Sequence, residues 1–392
     1  PFRAEGRLLQ VGSDFGALTG LYSQKVAAVD VLDESEDNLK VNWLRHVEQE
    51  GRTNIQYYVG TIMDYMDSVE TEEGDCLPKK YDYVVFAGSL DEKAKEQIRA
   101  AKRLLKPGGE LVAAVCNPFG MKYWAGAPKD KNCFSKPKLE SLFKEEKEGG
   151  NLKFYYPMPD YKLPVTIFSD SYLPGKGDLT DTITAYDYPK YLLMDVGASY
   201  DEVCREGMFD QYANSFFVVW QKHETPLEIQ YVKYNRTRTE RFQIKTTILG
   251  QGQERVVEKA ALSMEGAPHI WAFGTNYTEL SKQYADVNFV KPDMGEDRSS
   301  VRFPYIVGKS WSEQLGEEIS LGKVPVRLVR LAMEQVLKTK SSAMVSFKET
   351  PEFEEVFGDQ ASWEQFRGEP CLGISNIDAL FENILLTGDE RY

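Results

Sequence analysis

The sequence predicts an α/β chain. A wound parallel-sheet domain is expected over residues 1–222, then a linker over 223–230 and a smaller α+β domain over 231–392. Three observations carry this. A strand-sized apolar run, Arg7-Leu8-Leu9-Gln10-Val11, ends in the glycine turn Gly12-Ser13-Asp14-Phe15-Gly16 and leads into a helical stretch from about Leu18. Further apolar runs alternate with helical stretches as far as Ser215–Gln221. Beyond that, Phe242–Leu249 and Arg255–Leu262 flank Gly250-Gln251-Gly252-Gln253, which is a hairpin pattern.

The elements of the first domain follow in order. Val26-Ala27-Ala28-Val29 reads as the second strand, closed by Asp30. Glycines after a first strand let a backbone approach a ligand, and an acid ending the second strand accepts hydrogen bonds from ribose hydroxyls. Tyr81-Asp82-Tyr83-Val84-Val85-Phe86 reads as a buried parallel strand. A helix over about 92–105 stops at Lys106-Pro107-Gly108-Gly109, and Glu110–Cys116 is the next strand. Residues 117–214 then exceed any ordinary connection, so they are expected to cap the substrate side as a lid.

Composition narrows the function. A formal charge of −14 opposes a nucleic-acid partner, because phosphate binding needs a basic field. The five cysteines show no paired spacing and the three histidines are scattered, which fits reduced thiols in a cytoplasm and no metal site. No run approaches the roughly 20 apolar residues of a membrane span.

The strand, glycine turn, acid and Leu-Lys-Pro-Gly-Gly stop, in this order, resemble the class I S-adenosylmethionine-dependent methyltransferases, which have a Rossmann-like fold. The resemblance implies that Gly12, Ser13 and Gly16 border the methionine end of the cofactor and that Asp30 holds the ribose. It places Thr61 and Ile62 near the adenine, and Phe86, Ala87 and Gly88 facing the methyl donor. Two positions depart from the pattern. Gln10 stands where the family usually has an acid, and Asp14 where it usually has glycine. Asp14 either replaces the missing carboxylate or crowds the turn.

Longer strings resemble a bacterial group of methyltransferases encoded with surface-polysaccharide glycosyltransferases. They are Asn117-Pro118-Phe119-Gly120-Met121-Lys122-Tyr123-Trp124-Ala125-Gly126, the Tyr155–Pro164 segment, and Ser169-Asp170 followed by Tyr172-Leu173-Pro174. This implies methylation of an oxygen on a cell-surface glycan or its precursor, with glycosyltransferases as partners. Asn117, Tyr123, Trp124, Tyr155, Tyr156 and Tyr161 become candidate sugar-binding residues, since aromatic faces suit sugar C–H surfaces. Asp130, Asp160 and Asp170 are candidate general bases.

In the second domain, Val257-Glu258-Lys259 is similar to the Val-x-x-Lys strand of kinases, though one residue shorter, with Glu265 or Glu279 as the partner of Lys259. Val301–Gly308 reads as a strand and hinge, with helices near Ser312 and over Val326–Leu337. Asp378 and Asn383 have the spacing of a kinase catalytic loop. The order resembles atypical small-molecule and sugar kinases, and the methyltransferase–kinase that caps polymannose O-antigen. It implies catalysis by Asp378, with Lys259 and Asn383 holding ATP and magnesium. The sequence stops before a second metal-binding Asp, so this half is expected to be a truncated kinase-like domain without turnover. The rival reading is a decayed methyltransferase and kinase-like scaffold.

Overall fold

In the first unit, apolar residues at alternate positions of successive strands bury both faces of one sheet. The computed structural model describes residues 2–71, 80–144, 149–179, 192–223, 228–284, 288–337, 344–358, 361–387 and 390–391. Two compact units divide at Tyr234 and Asn235. Of the expected linker, residues 224–227 lie outside the described residues.

The first unit opens with β1 (Arg7–Val11), α1 (Ala17–Ser23), β2 (Ala28–Asp33), α2 (Glu36–Trp43) and β3 (Ile55–Val59). It continues through α3 (Ile62–Thr71), β4 (Tyr81–Ala87), α4 (Ala94–Leu104) and β5 (Leu105–Cys116). These five strands are parallel in the order β3-β2-β1-β4-β5, so strand order reverses between β1 and β4. That arrangement is Rossmann-like, as the sequence predicts. Leu9, Val84, Phe86 and Leu111 pack in one apolar cluster, while Leu8, Val29, Val31 and Val85 pack in another. The two-residue alternation of a strand separates the sets onto opposite faces.

Two strand boundaries differ from expectation. β2 begins and ends later than the Val26–Val29 run, because Asp30 does not stop it. β5 begins at Leu105, with Gly108 in a left-handed conformation (φ 77°) where the register with β4 shifts.

The segment expected to be a lid contributes to the sheet itself. After α5 (Met121–Trp124) and α6 (Lys136–Lys144), β6 (Asn151–Met158) and β7 (Thr166–Ser169) form an antiparallel hairpin. Then α7 (Val196–Arg205) and α8 (Phe209–Tyr212) lead to β8 (Ser215–Gln221), which lies between β5 and β6 and runs antiparallel to both. β9 (Ile229–Asn235) pairs with β7. Buried Phe154, Tyr156 and Met158 anchor β6 in the main core.

The second unit holds the expected hairpin, β10 (Ile244–Leu249) and β11 (Val256–Ala261), in an antiparallel sheet with β12 (Asp293–Met294) and β13 (Ser300–Pro304). Helix α9 (Ala267–Gln283) places buried Ile270 with Ile244 and Val301. α10 (Trp311–Ser320) starts at a capping box of Ser310 and Glu313, and α11 (Val326–Leu337) follows.

Candidate functional site

The carboxyl ends of β1 and β4 meet where the strand order reverses, the position at which open α/β sheets bind ligands. The turn after β1 is specified by glycine and by one carboxylate. Gly12 (φ 75°) and Gly16 (φ 83°) occupy left-handed backbone, and a Cβ there would collide with Ser89 and Asn42 respectively. Asp33, the last residue of β2, accepts from Ser13 N at 2.8 Å, Ser13 Oγ at 3.0 Å, Ser35 N at 2.9 Å and Asn38 Nδ2 at 3.4 Å. The Gly12 amide adds a bond to the Leu32 carbonyl at 2.8 Å. One acid therefore draws the glycine turn onto the end of the second strand.

The acid in that role is Asp33, and the assignment to Asp30 is corrected. Asp30 sits in the middle of β2, fully buried. It pairs with Arg7 at 2.8 Å and accepts from the Tyr81 hydroxyl at 2.6 Å, which in turn meets Tyr65 at 2.8 Å. A buried carboxylate satisfied from neighbouring strands joins the sheet and does not reach its edge. Ser35 was the missed signal. As N-cap of α2, accepting from Asn38 N at 3.2 Å, it marks where the strand must end.

The two departures from the glycine pattern have structural consequences. Gln10 is buried, accepting from Thr19 Oγ1 at 2.8 Å and donating to the Gly12 carbonyl at 3.3 Å. Asn42 donates to Thr19 at 2.8 Å and accepts from Tyr57 at 3.1 Å. A neutral network thus fills the position where an acid was expected. Asp14 is exposed and left-handed (φ 44°), a conformation Asp tolerates better than most residues.

At the neighbouring edge, Gly88 (φ 81°) admits the Tyr161 hydroxyl to 2.6 Å from where a Cβ would stand. Burial pushes that phenol well above its ordinary range. Tyr161 is fixed from the other side, its backbone N–H donating to Ser215 Oγ at 2.9 Å. Ser89 Oγ donates to the Val11 carbonyl and locks the β1 and β4 turns together. Ala87 is half-buried beside Gly88. Phe86 and Ile62, by contrast, are sealed in the core, which corrects their expected contact with a cofactor. Thr61 stays at the edge, its N–H and hydroxyl donating to Asp64 at 2.9 and 2.7 Å. Large apolar residues stand exposed at the end of β3 and in the segments after β1 and β5: Val59 (63%), Phe15 (62%), Phe119 (52%) and Trp124 (60%).

The aromatic and acidic candidates beyond β5 divide into three groups. Asn117 is buried, donating to the Gln211 and Ala213 carbonyls at 2.7 and 2.8 Å and accepting from Phe119 N at 3.2 Å, so it shapes a turn and is removed from the substrate set. Asp160 is also fully buried, 3.3 Å from the equally buried Lys122 ammonium, and no longer stands as a base. Asp130 takes Lys122 and Lys162 at 3.3 Å and the Tyr123 hydroxyl at 2.7 Å. Although burial opposes it, hydrogen bonds from Cys116 and Tyr123 and the two lysine charges hold Asp130 far below the usual carboxylate range. A carboxylate so stabilised is a poor proton acceptor. In the last group, Lys136 bridges Tyr156 (2.8 Å), Asp170 (2.8 Å) and Asp210 (2.9 Å), and Tyr156 donates to Asp170. Tyr156 is core, and Tyr155 packs its ring on Phe217, with burial lifting its phenol to about 12. Both are corrected to structural residues.

In the second unit Lys259 lies on β11 between the rings of Phe273 and Phe303. Burial lowers its ammonium, and Asp378 is the charge that opposes the shift. Neither proposed glutamate partners it among the described residues: Glu279 pairs with Lys282 at 2.9 Å instead. Asp378 is exposed, and Asn383 Nδ2 donates to the Asp378 carbonyl at 2.9 Å, folding the amide back onto its own loop. Among the described residues no cluster suits a metal ion, and no helix is long and apolar enough to cross a membrane.

No family model and no curated protein matches the chain. Among solved structures, an S-adenosylmethionine-dependent methyltransferase from Archaeoglobus fulgidus is similar at 17% identity, over 56% of this chain and 87% of that one, with a TM-score of 0.35. The N-methyltransferase NodS from Bradyrhizobium japonicum is similar at 11%, over 57% and 88%, with a TM-score of 0.33. An rRNA methylase from Streptococcus thermophilus is similar at 12%, over 57% and 90%, with a TM-score of 0.31.

Proposed function

We propose that the first unit is an S-adenosylmethionine-dependent methyltransferase acting on an oxygen of a cell-surface glycan or its precursor. The observation that carries this reading is the Gly12–Ser13 turn seated on Asp33 beside Gly88, at the switch in strand order. The residues fit the cofactor. Asp33 offers a strand-end carboxylate for ribose hydroxyls, and the Ser13 hydroxyl can yield to them because the Asp14 carbonyl, 3.3 Å away, is a second acceptor. The exposed carboxylate of Asp14 suits a cation, and Phe15 and Val59 offer apolar surface for a base.

When bound, the cofactor supplies an electrophilic methyl group on a positively charged sulfur. The chain contributes position: an in-line displacement gains most from holding the two reacting atoms at attack distance. Tyr161 at Gly88 borders that point. Its raised pKa keeps the phenol protonated, a donor that can orient an acceptor oxygen. With Asp160 buried in an ion pair and Asp130 strongly acidic, neither carboxylate is assigned as base. Phe119 and Trp124 provide the exposed faces a sugar would meet.

One observation favours the scaffold reading: the acceptor atoms of Asp33 are already engaged, and the Gln10–Thr19–Asn42 network is satisfied, so the turn holds its shape unaided. The second unit is read as a kinase-like lobe in which Lys259 would hold a nucleotide's phosphates. The test is transfer of labelled methyl from S-adenosylmethionine to glycan-precursor fractions, with ATP and magnesium titrated separately. Label in an O-methyl sugar supports the proposal. Binding of neither ligand supports the scaffold.

A further inference from the structure

Outside the cofactor edge, the densest group of reactive side chains surrounds two cysteines. Cys116 ends β5, and Cys133 forms a parallel bridge with it, the Phe134 N–H donating to the Cys116 carbonyl at 2.9 Å. Neighbouring strands lie about 4.8 Å apart, which falls in the Cα separation that a disulfide spans. Residues paired in a bridge project to the same side, and here both thiols reach Asp130, Cys133 Sγ lying 3.3 Å from its backbone carbonyl. Their surroundings are polar and asymmetric. Cys116 Sγ is 3.0 Å from Asp130 Oδ2 and 3.6 Å from the Lys122 ammonium, and Tyr123 Oη is 3.5 Å from Cys133 Sγ.

We propose that Cys116 and Cys133 form a reversible disulfide when the protein meets a peroxide, fixing residues 117–132 as a closed loop at the end of β5. This goes beyond the reading of the first unit as a methyltransferase and does not depend on it.

The two cysteines take different parts. Cys133 is half-buried and Cys116 fully buried, so Cys133 is the thiol that an oxidant reaches. Contact with Cys116, and with Tyr123, draws Cys133 below the usual thiol range against the effect of burial. That same contact with Cys133, then burial and Asp130, push Cys116 up. Thiolate, not thiol, is the nucleophile. In the first step the Cys133 sulfur attacks a peroxide oxygen. An S–O bond forms, the O–O bond breaks, and hydroxide leaves and takes up a proton. In the second step Cys116, on losing its proton beside the Lys122 ammonium, attacks the Cys133 sulfur. The S–S bond forms and the S–O bond breaks, releasing water once the leaving hydroxide is protonated. Two thiols and one hydrogen peroxide thus give one disulfide and two waters. The loop so closed carries Phe119 and Trp124, the exposed apolar residues that follow β5.

The test uses the full chain and hydrogen peroxide, with peptide mapping under non-reducing conditions. The expected result is a linked Cys116–Cys133 peptide pair, with a mass loss of about 2 Da reversed by dithiothreitol. Cys204 and Cys371 remain open to alkylation. In Cys116→Ser, the reaction should stop at a sulfenic acid on Cys133 that dimedone traps. Cys133→Ser should leave Cys116 reduced at the same peroxide dose. The wild-type map decides the matter even where a variant folds poorly. A Cys133 that stays reduced, is overoxidised without linkage, or pairs with another cysteine would overturn the proposal.

Discussion

Two aspartates three residues apart on β2 behave as different chemical groups because they occupy different regions of the sheet. Asp30 lies mid-strand, met by Arg7 of the adjacent β1 and by Tyr81 of β4, the strand beyond it. Asp33 lies at the carboxyl edge, bonded to backbone and side-chain donors of a turn. An odd separation also sends their side chains to opposite faces. Placement along the strand, and not residue type, decides which carboxylate can meet a ligand.

The largest effect that would break this contrast belongs to the interior. Asp30→Ala leaves the Arg7 charge facing the interior and Tyr81 without its acceptor. Breaking a buried pair costs about 3–5 kcal/mol, and Arg7 is part-exposed, so about 3 kcal/mol is expected in urea unfolding. The surviving folded fraction should still bind cofactor. Cofactor binding lost in step with stability would place Asp30 at the site after all.

At the edge, Asp33→Asn should act the other way. A hydrogen bond to a charged group is worth about 1.5–3 kcal/mol, so affinity for S-adenosylhomocysteine should fall at least about tenfold, measured by calorimetry. Unchanged affinity would remove Asp33 from the pocket.

Acid separates the regions again. Asp130 and Asp82 have folded-state pKa values below the ordinary carboxylate value. Their stabilisation is therefore complete above that value and is lost as pH falls through the folded one. Unfolding should set in below about pH 4, and Asp130→Asn should flatten that dependence in a circular-dichroism titration. A slope unaltered by the variant would show that Asp130 is not a source of it.

Asp14→Gly has the smallest expected effect. Relief of left-handed strain, about 1 kcal/mol, is opposed by glycine's added backbone entropy, roughly 0.5–1 kcal/mol. Stability should barely move. Affinity for S-adenosylmethionine should drop if the Asp14 carboxylate faces the cation, and should rise if its side chain obstructs the turn.

Much of this was legible in the sequence. β1 and β8 coincide with their apolar runs, and Gly12, Gly16 and Gly88 fall where the backbone requires glycine. What misled was an acid inside a strand. Asp30 reads as a stop unless its neutralising partner is known, and Arg7 stands on a different strand. The β6–β7 hairpin was obscured in the same way. Its aromatic residues suit either a sugar surface or a core, and only packing against Phe216 and Phe209 shows that Tyr156 belongs to the core. In the second unit the hairpin was plain, while the charge that opposes the lowering of Lys259 belongs to Asp378, more than a hundred residues away in sequence.

The most direct test of the central claim is calorimetric titration of S-adenosylhomocysteine into the wild-type chain, Asp33→Asn and Asp30→Asn under one set of folding conditions. Binding by the wild type is expected, with at least about tenfold weaker binding by Asp33→Asn and wild-type affinity in the folded fraction of Asp30→Asn. Equal affinity of Asp33→Asn and wild type, or no binding by the wild type, would contradict it.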